Sequence, residues 1–314
     1  ISAAIQGTVQ GLTEFLPISS SGHLLLSQHI LGQQQNNLFF NVMLHLGTLI
    51  SVILVYYKTI IDLIVSFFSL IKDIFTGNFN LNKLDENKRM VVMLIIGLLP
   101  LFLLFIPLPG GVKNIKGLAE ILSNDKNIIL VGICLIITSI LLALGIKISR
   151  EKNSKHLIKK DKNKIIESNG KKEYNIMDAI YVGIMQFIAA IFPGISRSGS
   201  TLSVALMRGI NRQKAIDFSF ILGIPAIIAA SLLEIKEVFE SESAMSAIHI
   251  PSIIVGILFS AVVGFLSIKL FKWILAKDKT NIFIIYTLAV GILSVIIGIV
   301  ELNKGTNIFS GTLL

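Results

Sequence analysis

The chain has 314 residues, of which 53% are hydrophobic and only 15% charged, with a mean hydropathy of +0.79, and this composition excludes an ordinary soluble domain. A formal net charge of +9 would favour nucleic acid in a soluble protein, but here the basic residues gather between apolar runs, where they serve as topological signals and headgroup contacts, so no nucleic-acid partner is expected. The single cysteine, Cys134, excludes an intrachain disulfide.

In chain order, the opening apolar stretch lacks a charged n-region and a small-residue cleavage site and is not read as a signal peptide. It is broken after about 15 residues by a Pro/Ser/Gly loop and resumes over residues 24–31, and neither arm reaches the roughly 20 apolar residues that a hydrocarbon core requires. Residues 40–57, 91–106 and 128–148 are predicted spans, whereas 60–75, interrupted by Asp62, Lys72 and Asp73, reads as an interfacial helix. Residues 149–175 are rich in lysine and poor in apolar side chains, as in a solvated linker. The opening pattern then returns: an apolar stretch broken at 193–201 resumes over 202–210 and is followed by predicted spans at 215–233, 253–271 and 282–300.

The two halves also match residue by residue. Gly7, Gln10, Pro17 and Ser20 recur as Gly183, Gln186, Pro193 and Ser196 at an offset of 176, and Leu46-Gly47 recurs as Leu222-Gly223 at the same offset. The predicted organisation is a first repeat over 1–148, with a hairpin at about 1–31, a basic linker over 149–175, and a second repeat over 176–314, with a hairpin at about 177–210. Unwound backbone at membrane depth is tolerated only where protein or a wet cavity satisfies it, so both broken stretches read as re-entrant helix–loop–helix hairpins, and such segments mark the binding site. Three spans after a hairpin carry the chain to the opposite side, which inverts the second half. Loop charge agrees with an outside N-terminus: 58–89, 149–175, 208–214 and 272–279 are basic and inside, while 234–249 carries Glu234, Glu237, Glu240 and Glu242 against Lys236 and lies outside, as does 107–126. The expected fold class is therefore an all-α integral membrane protein with six transmembrane helices and two re-entrant hairpins in inverted-topology repeats.

Both loops carry reactive groups. Gln10 and Glu14 are one helical turn apart and precede Pro17, Ser19, Ser20, Ser21, Gly22 and His23. A carboxylate in an apolar segment is costly, which favours a functional role over a helix-end residue snorkelling to the interface; the competing reading of His23 is a satisfied polar contact. The second loop runs Pro193-Gly194-Ile195-Ser196-Arg197-Ser198-Gly199-Ser200-Thr201. Arg197 offers a fork of donors suited to phosphate, and hydroxyls, glycines and a helix N-terminus complete an anion nest; an internal ion pair with Glu14 is the alternative. Brought together, one carboxylate, one imidazole, several hydroxyls and one guanidinium suit phosphoryl transfer. The sequence has no Walker-type glycine loop, which argues against an ATP-driven pump.

The paired motifs, Gln10 to His23 and Pro193 to Thr201, closely resemble those of the undecaprenyl-diphosphate phosphatase family associated with bacitracin resistance, and the resemblance covers nearly the whole chain. It implies a bacterial plasma-membrane enzyme that hydrolyses undecaprenyl diphosphate to the monophosphate for cell-wall synthesis. The site would open to the outer face, the linker would be cytoplasmic, membrane lipid would be the surroundings, and a homodimer stays open. The resemblance also implies a divalent cation, Mg²⁺ or Ca²⁺, with Glu14 as ligand. By motif position, Ser20 becomes the nucleophile unless water attacks directly, and His23 the base. Arg197 with Ser196, Ser198 and Thr201 becomes the diphosphate-binding group, joined by Gln10 and Ser19. Gln10 stands where the family often has Glu, and an amide adds no negative charge, so the substrate's phosphates are expected to supply most of the cation's ligands. The rival reading is a polyprenyl-phosphate transporter or flippase, because broken helices in inverted repeats are a transporter architecture.

Overall fold

The structure is a computed structural model that describes residues 1–32, 38–109, 111–123, 128–157, 170–239 and 249–312. These form eleven α-helices and no β-strand: α1 (Ser2–Phe15), α2 (Ser20–Ile30), α3 (Leu38–Phe75), α4 (Glu86–Leu98), α5 (Ile115–Ser123), α6 (Ile129–Leu157), α7 (Ile176–Ile191), α8 (Arg197–Met207), α9 (Arg212–Phe239), α10 (Ile250–Ala276) and α11 (Asn281–Lys304). Six segments are long and apolar enough to cross a membrane, at the six places expected: Phe39–Phe75, Glu86–Phe105, Ile129–Glu151, Arg212–Glu237, Ile250–Ala276 and Asn281–Lys304. The second is α-helical only to Leu98 and tightens to a 3-10 helix over Leu99–Phe105, where Pro100 removes a backbone donor.

The stretch 60–75, expected as a separate interfacial helix, continues α3 beyond a kink at Tyr56 (φ −111°, ψ 18°). The first part of the basic stretch 149–175 likewise continues α6 as far as Leu157, and its Lys159, Lys160, Lys162 and Lys164 lie outside the described residues, as do Glu240 and Glu242. At its far end Lys171 is anchored, donating its N–H to the Gly209 carbonyl and accepting from Asn211 N–H.

Two of the spans place small residues along part of their buried face and large apolar ones outside. On α10 the buried face carries Gly256, Ser260, Gly264 and Ser267, while Leu258, Val262 and Leu266 are exposed; on α11 the buried face is Thr287, Gly291, Ser294 and Gly298. Lipid provides no hydrophobic drive between helices, so close backbone approach through small residues supplies the packing. The recurring glycine of the two halves has this use. A Cβ at Gly7 on α1 would lie 2.6 Å from the Gly256 oxygen on α10, and one at Gly183 on α7 would lie 2.5 Å from the Gly97 oxygen on α4. Each opening helix thus packs on a span of the other half, and this exchange brings the two polar loops together.

The far ends of the helix pairs are tied by polar contacts. Asn175 and Asp178 form a capping box at the start of α7, and buried Asp178 also accepts from Arg208 Nε at the end of α8, 2.7 Å away. At the end of α2, Gln28 donates to Gln6 and Asn41, both at 3.0 Å.

Candidate active site

The first loop exists because Pro17 follows α1 and Ser19 starts α2. Leu16 leaves the helix in extended backbone, and Ser19, at φ 74°, caps α2 by accepting from Gly22 N–H at 3.2 Å. A serine in left-handed backbone is held there by its surroundings, and such residues concentrate at functional sites. The second loop is one residue longer, with Gly194 at φ 97°, and Ser196 caps α8 by accepting from Gly199 N–H at 3.0 Å.

The cap serines therefore correct the expected register. Ser19, not Ser20, is the counterpart of Ser196, and Ser20 corresponds to Arg197. The offset steps from 176 to 177 at Gly194, restoring Ile18-Ser19-x-Ser21-Gly22 against Ile195-Ser196-x-Ser198-Gly199.

The loops meet back to back. A Cβ on Gly22 would lie 2.9 Å from the Gly194 Cα, and Ser198 Oγ donates to the Leu16 carbonyl at 3.2 Å. Thr138 on α6 clamps the second loop, donating to the Gly194 carbonyl at 3.1 Å and accepting from Ser196 N–H at 3.0 Å.

Where the loops join, the buried Glu14 carboxylate gathers groups from both. Its Oε1 accepts from Arg197 Nη2 at 2.5 Å. Its Oε2 accepts from Ser20 Oγ at 2.7 Å and from Gln10 Nε2 at 3.0 Å, and His45 Nε2 lies 3.6 Å away. The ion pair between Glu14 and Arg197, weighed from sequence as an alternative to phosphate binding, is thus formed, yet Arg197 stays 21% exposed against 4% for Glu14. Its Nη1 reaches the Ser219 carbonyl at 3.4 Å, and the guanidinium lies against Gly223, where a Cβ would come within 1.9 Å of Nη1.

Other expected site residues are engaged elsewhere. His23 directs Nδ1 to the Ser19 carbonyl at 2.8 Å and Nε2 to the Tyr286 hydroxyl at 2.9 Å, and its ring stacks on Tyr286. With Nδ1–H given to a carbonyl, the Nε2 lone pair receives the tyrosine proton. Ser198 holds the first loop, Ser196 is a cap, and Thr201 Oγ1 contacts Ser219 Oγ at 2.6 Å. Of the expected site residues, Arg197 and Ser20 are the partly exposed ones facing Glu14.

Sequence reasoning missed His45, Thr138 and Tyr286. Each lies inside a predicted span, far from both loops; for His45 a usable signal existed, since an ionisable residue within a span is by default a functional candidate.

The fit to a divalent cation rests on one atom. Gln10 Oε1 is buried and without a partner. The amide must present Nε2 to the Glu14 carboxylate, so its oxygen is left free as a hard donor beside that carboxylate. Elsewhere, Glu120, Glu234 and Glu237 also bring carboxylates together, but Lys116 sits among them, 3.1 Å from Glu120, 3.6 Å from Glu234 and paired with Glu237, so an ammonium already serves that cluster.

A cavity of about 260 Å³ opens at another place, lined by Tyr56, Asp62, Arg89, Tyr174, Lys214 and Asp217 among others. Phe15 packs edge-on against Phe220 at 5.2 Å, and Phe220 against Tyr56 at 6.3 Å. This aromatic row runs from the neighbour of Glu14 to the cavity wall.

Comparison with known proteins shows the family. The family model described as bacitracin resistance protein BacA matches residues 3–293. An undecaprenyl-diphosphatase of Halothermothrix orenii is 34% identical over 291 residues, covering 93% of this chain and 95% of that protein. One of Methanosphaera stadtmanae is 34% identical over 304 residues, covering 96% and 98%, and undecaprenyl-diphosphatase 4 of Bacillus cereus is 32% identical over 296 residues, covering 93% and 95%. With glutamate, serine and arginine joined across its two loops and a family match over nearly its whole length, the chain belongs to the bacitracin resistance protein BacA family.

Proposed function

We propose that this protein is an undecaprenyl-diphosphate phosphatase, releasing the terminal phosphate of the lipid diphosphate and leaving the monophosphate carrier for cell-wall synthesis. The observation that carries this reading is the Glu14 carboxylate, one oxygen on the Ser20 hydroxyl and the other on the Arg197 guanidinium. That arrangement places a proton acceptor on an oxygen nucleophile and a phosphate-binding cation beside it.

The terminal phosphate of the substrate displaces Glu14 from Arg197, whose fork suits phosphate as well as carboxylate. Ser20 Oγ attacks phosphorus, its proton passes to Glu14, the bond to the bridging oxygen breaks, and water later hydrolyses the phosphoserine. Direct attack by a water held at Glu14 is the variant of this chemistry that Ser20→Ala distinguishes. The hydrogen bonds favour Glu14 over His23 as the proton acceptor, because Ser20 donates to Glu14 while the His23 lone pair is occupied by Tyr286. Glu14 and Gln10 Oε1 are the groups that would hold Mg²⁺ or Ca²⁺, and such a cation would neutralise charge on the diphosphate.

In the membrane, the pairs α1–α2 and α7–α8 are re-entrant hairpins of two inverted repeats, 1–148 and 176–314, with the site open to the outer face and the 149–175 segment cytoplasmic. The exchanged packing of α1 on α10 and α7 on α4 supports this arrangement, as does the loop charge. The same architecture suits a lipid carrier, and the test separates the two. Phosphate release from undecaprenyl diphosphate is measured with detergent-purified protein, with and without Mg²⁺ or Ca²⁺, for wild type, Glu14→Gln, Ser20→Ala and Arg197→Ala. Cation-dependent release by wild type, lost by at least ~10³-fold in the Glu14 and Arg197 variants, supports the phosphatase. No release from monodisperse wild type rejects it in favour of transport.

A further inference from the structure

Asp62 interrupts the apolar stretch of α3, and the reaction proposed above makes no use of it. Its helical neighbours Ile61, Ile64, Val65 and Phe68 are exposed, so a carboxylate stands among side chains suited to lipid, which is costly without a partner. It lines the cavity of about 260 Å³ described above. Two spans begin at Glu86 and Arg212, and the cavity takes in their first turns through Glu86, Arg89, Lys214 and Asp217, which sets it at headgroup depth.

Most charges on the cavity wall are already matched. Arg89 pairs with Glu173, and Lys214 with Glu86. Asp217 accepts from the Tyr56 hydroxyl at 2.6 Å and from Gln213 Nε2 at 2.9 Å, with Lys272 Nζ 3.8 Å away. The aromatic part of the wall is packed, since Tyr174 and Phe218 are buried and stack with ring centroids 4.0 Å apart. Among the described residues, two charged lining groups are left with no hydrogen bond or ion pair, the Asp62 carboxylate and the Lys172 ammonium. One is negative and the other positive. A bare anion would answer Lys172 and be repelled by Asp62, and a bare cation the reverse, whereas a zwitterion answers both.

A second cavity, of about 240 Å³, shares Arg89, Met93 and Tyr174 with the first and is otherwise mainly apolar, with Leu81, Leu84, Ile176 and Met177 in its wall. A polar chamber adjoining an apolar one at headgroup depth matches an amphiphile. Together the two volumes reach the size of a small-molecule site, about 300–1,000 Å³.

We propose that these two cavities hold a phospholipid of the surrounding membrane whose headgroup carries a phosphate and a primary ammonium. The phosphate meets Lys172, the ammonium meets Asp62, and the start of an acyl chain lies against Leu81, Leu84, Ile176 and Met177. A primary ammonium brings three N–H donors to a carboxylate, and a trimethylated one brings none. The site shares no residue with the two polar loops, so the inference does not depend on the phosphatase reading.

The experiment is thermal unfolding of the full chain, delipidated in detergent, with dioleoyl phosphatidylethanolamine, phosphatidylcholine or phosphatidylglycerol added at matched mole fraction. A further sample receives glycerophosphoethanolamine, the same headgroup without chains. Wild type is compared with Asp62→Asn, Lys172→Gln and, as a control outside the cavity, Lys72→Gln. A ligand that binds only the folded chain raises its melting temperature, and the ethanolamine lipid is expected to raise it by about 2 °C or more beyond the choline lipid. That advantage should vanish in Asp62→Asn, the response to the ethanolamine lipid should fall by about half or more in Lys172→Gln, and Lys72→Gln should behave as wild type. Any of four results overturns the proposal. Equal shifts from the three lipids mean general solvation by the micelle. The largest shift from phosphatidylglycerol means attraction of a basic surface for anionic lipid. An ethanolamine preference undiminished in both cavity variants puts the lipid elsewhere. An equal shift from glycerophosphoethanolamine leaves the apolar chamber without a role.

Discussion

Arg197 and Glu14 come from opposite halves of the chain and meet as a direct pair, Nη2 on Oε1 at 2.5 Å, while the other oxygen of the same carboxylate holds Ser20. A partly buried pair of this kind is weak evidence for stability, since desolvation offsets much of its attraction. In the proposed reaction its value lies in holding the guanidinium aimed before substrate arrives. Arg197→Lys keeps the charge and loses the planar fork that can hold two phosphate oxygens. The expected outcome is a drop in kcat/KM of about 10²-fold or more with a melting temperature within a few degrees of wild type, read by phosphate release and by thermal unfolding in detergent.

Gly223 is the seat of that guanidinium. Its position in α9 would ordinarily favour alanine by about 1 kcal/mol, but a Cβ there would meet Arg197 Nη1 at 1.9 Å and Cζ at 2.7 Å. Because Arg197 is a long side chain, it swings aside rather than breaking the helix. Gly223→Ala is therefore expected to cost at least tenfold in kcat/KM with stability unchanged or slightly raised. The matching residue Gly47 faces Ser260 Oγ at 1.9 Å and the Ile257 backbone oxygen at 2.6 Å, and backbone cannot swing aside. Gly47→Ala should instead lower the melting temperature and the yield of folded protein.

These two glycines also show how much of the molecule was legible in the chain. Hydropathy located the six spans because lipid-facing residues such as Leu258 and Ile285 leave long apolar runs. The repeat located Gly7, Gly183, Gln10 and both loops. A constant offset hid the extra Gly194, so Ser20 was paired with a cap serine instead of with Arg197. Identity of residue type does not carry task, either: Gly47 and Gly223 match, yet one packs helices and the other seats a side chain. His45 reaches Glu14 from 31 positions along the chain, a proximity created by packing of α1 on α3, which no local spacing encodes. Composition also does not show that Ser196 caps a helix, that Ser198 holds the first loop and that Thr201 bonds the helix backbone.

Gln10 bears on the proposed cation. Its Nε2 is spent on Glu14 and its Oε1 is buried without a partner, so one carboxylate and one amide oxygen are what the first loop offers a hard cation. Gln10→Glu adds a second carboxylate one turn from the first. Its expected effect is a several-fold lower Mg²⁺ or Ca²⁺ concentration for half-maximal phosphate release, together with lower stability in chelator, where two like charges face each other unscreened. An unchanged cation dependence would remove Gln10 from the cation's surroundings.

The far end of α2 offers a separate test of what holds Ser20 in place. His29 Nε2 lies 2.9 Å from both oxygens of Glu301, and the same carboxylate accepts from Ile308 N–H at 2.9 Å, closing the turn after α11. Glu301 is 1% exposed, so His29→Leu leaves a buried carboxylate without its imidazole, a loss of about 3–5 kcal/mol. Glu301→Leu alone should cost less, because the stranded imidazole still reaches Asn307. The double variant should recover part of the loss, giving a coupling energy of about 1–3 kcal/mol in a thermal or denaturant double-mutant cycle. Phosphate release per folded molecule should stay within tenfold of wild type throughout, because the start of α2 is fixed independently by the Ser19 cap, by contact of Gly22 with Gly194, and by the Ser20 bond to Glu14. A fall in specific activity as large as that of Ser20→Ala would mean that α2 moves as one rigid rod and that the His29–Glu301 clasp, not the loop, sets the position of the nucleophile.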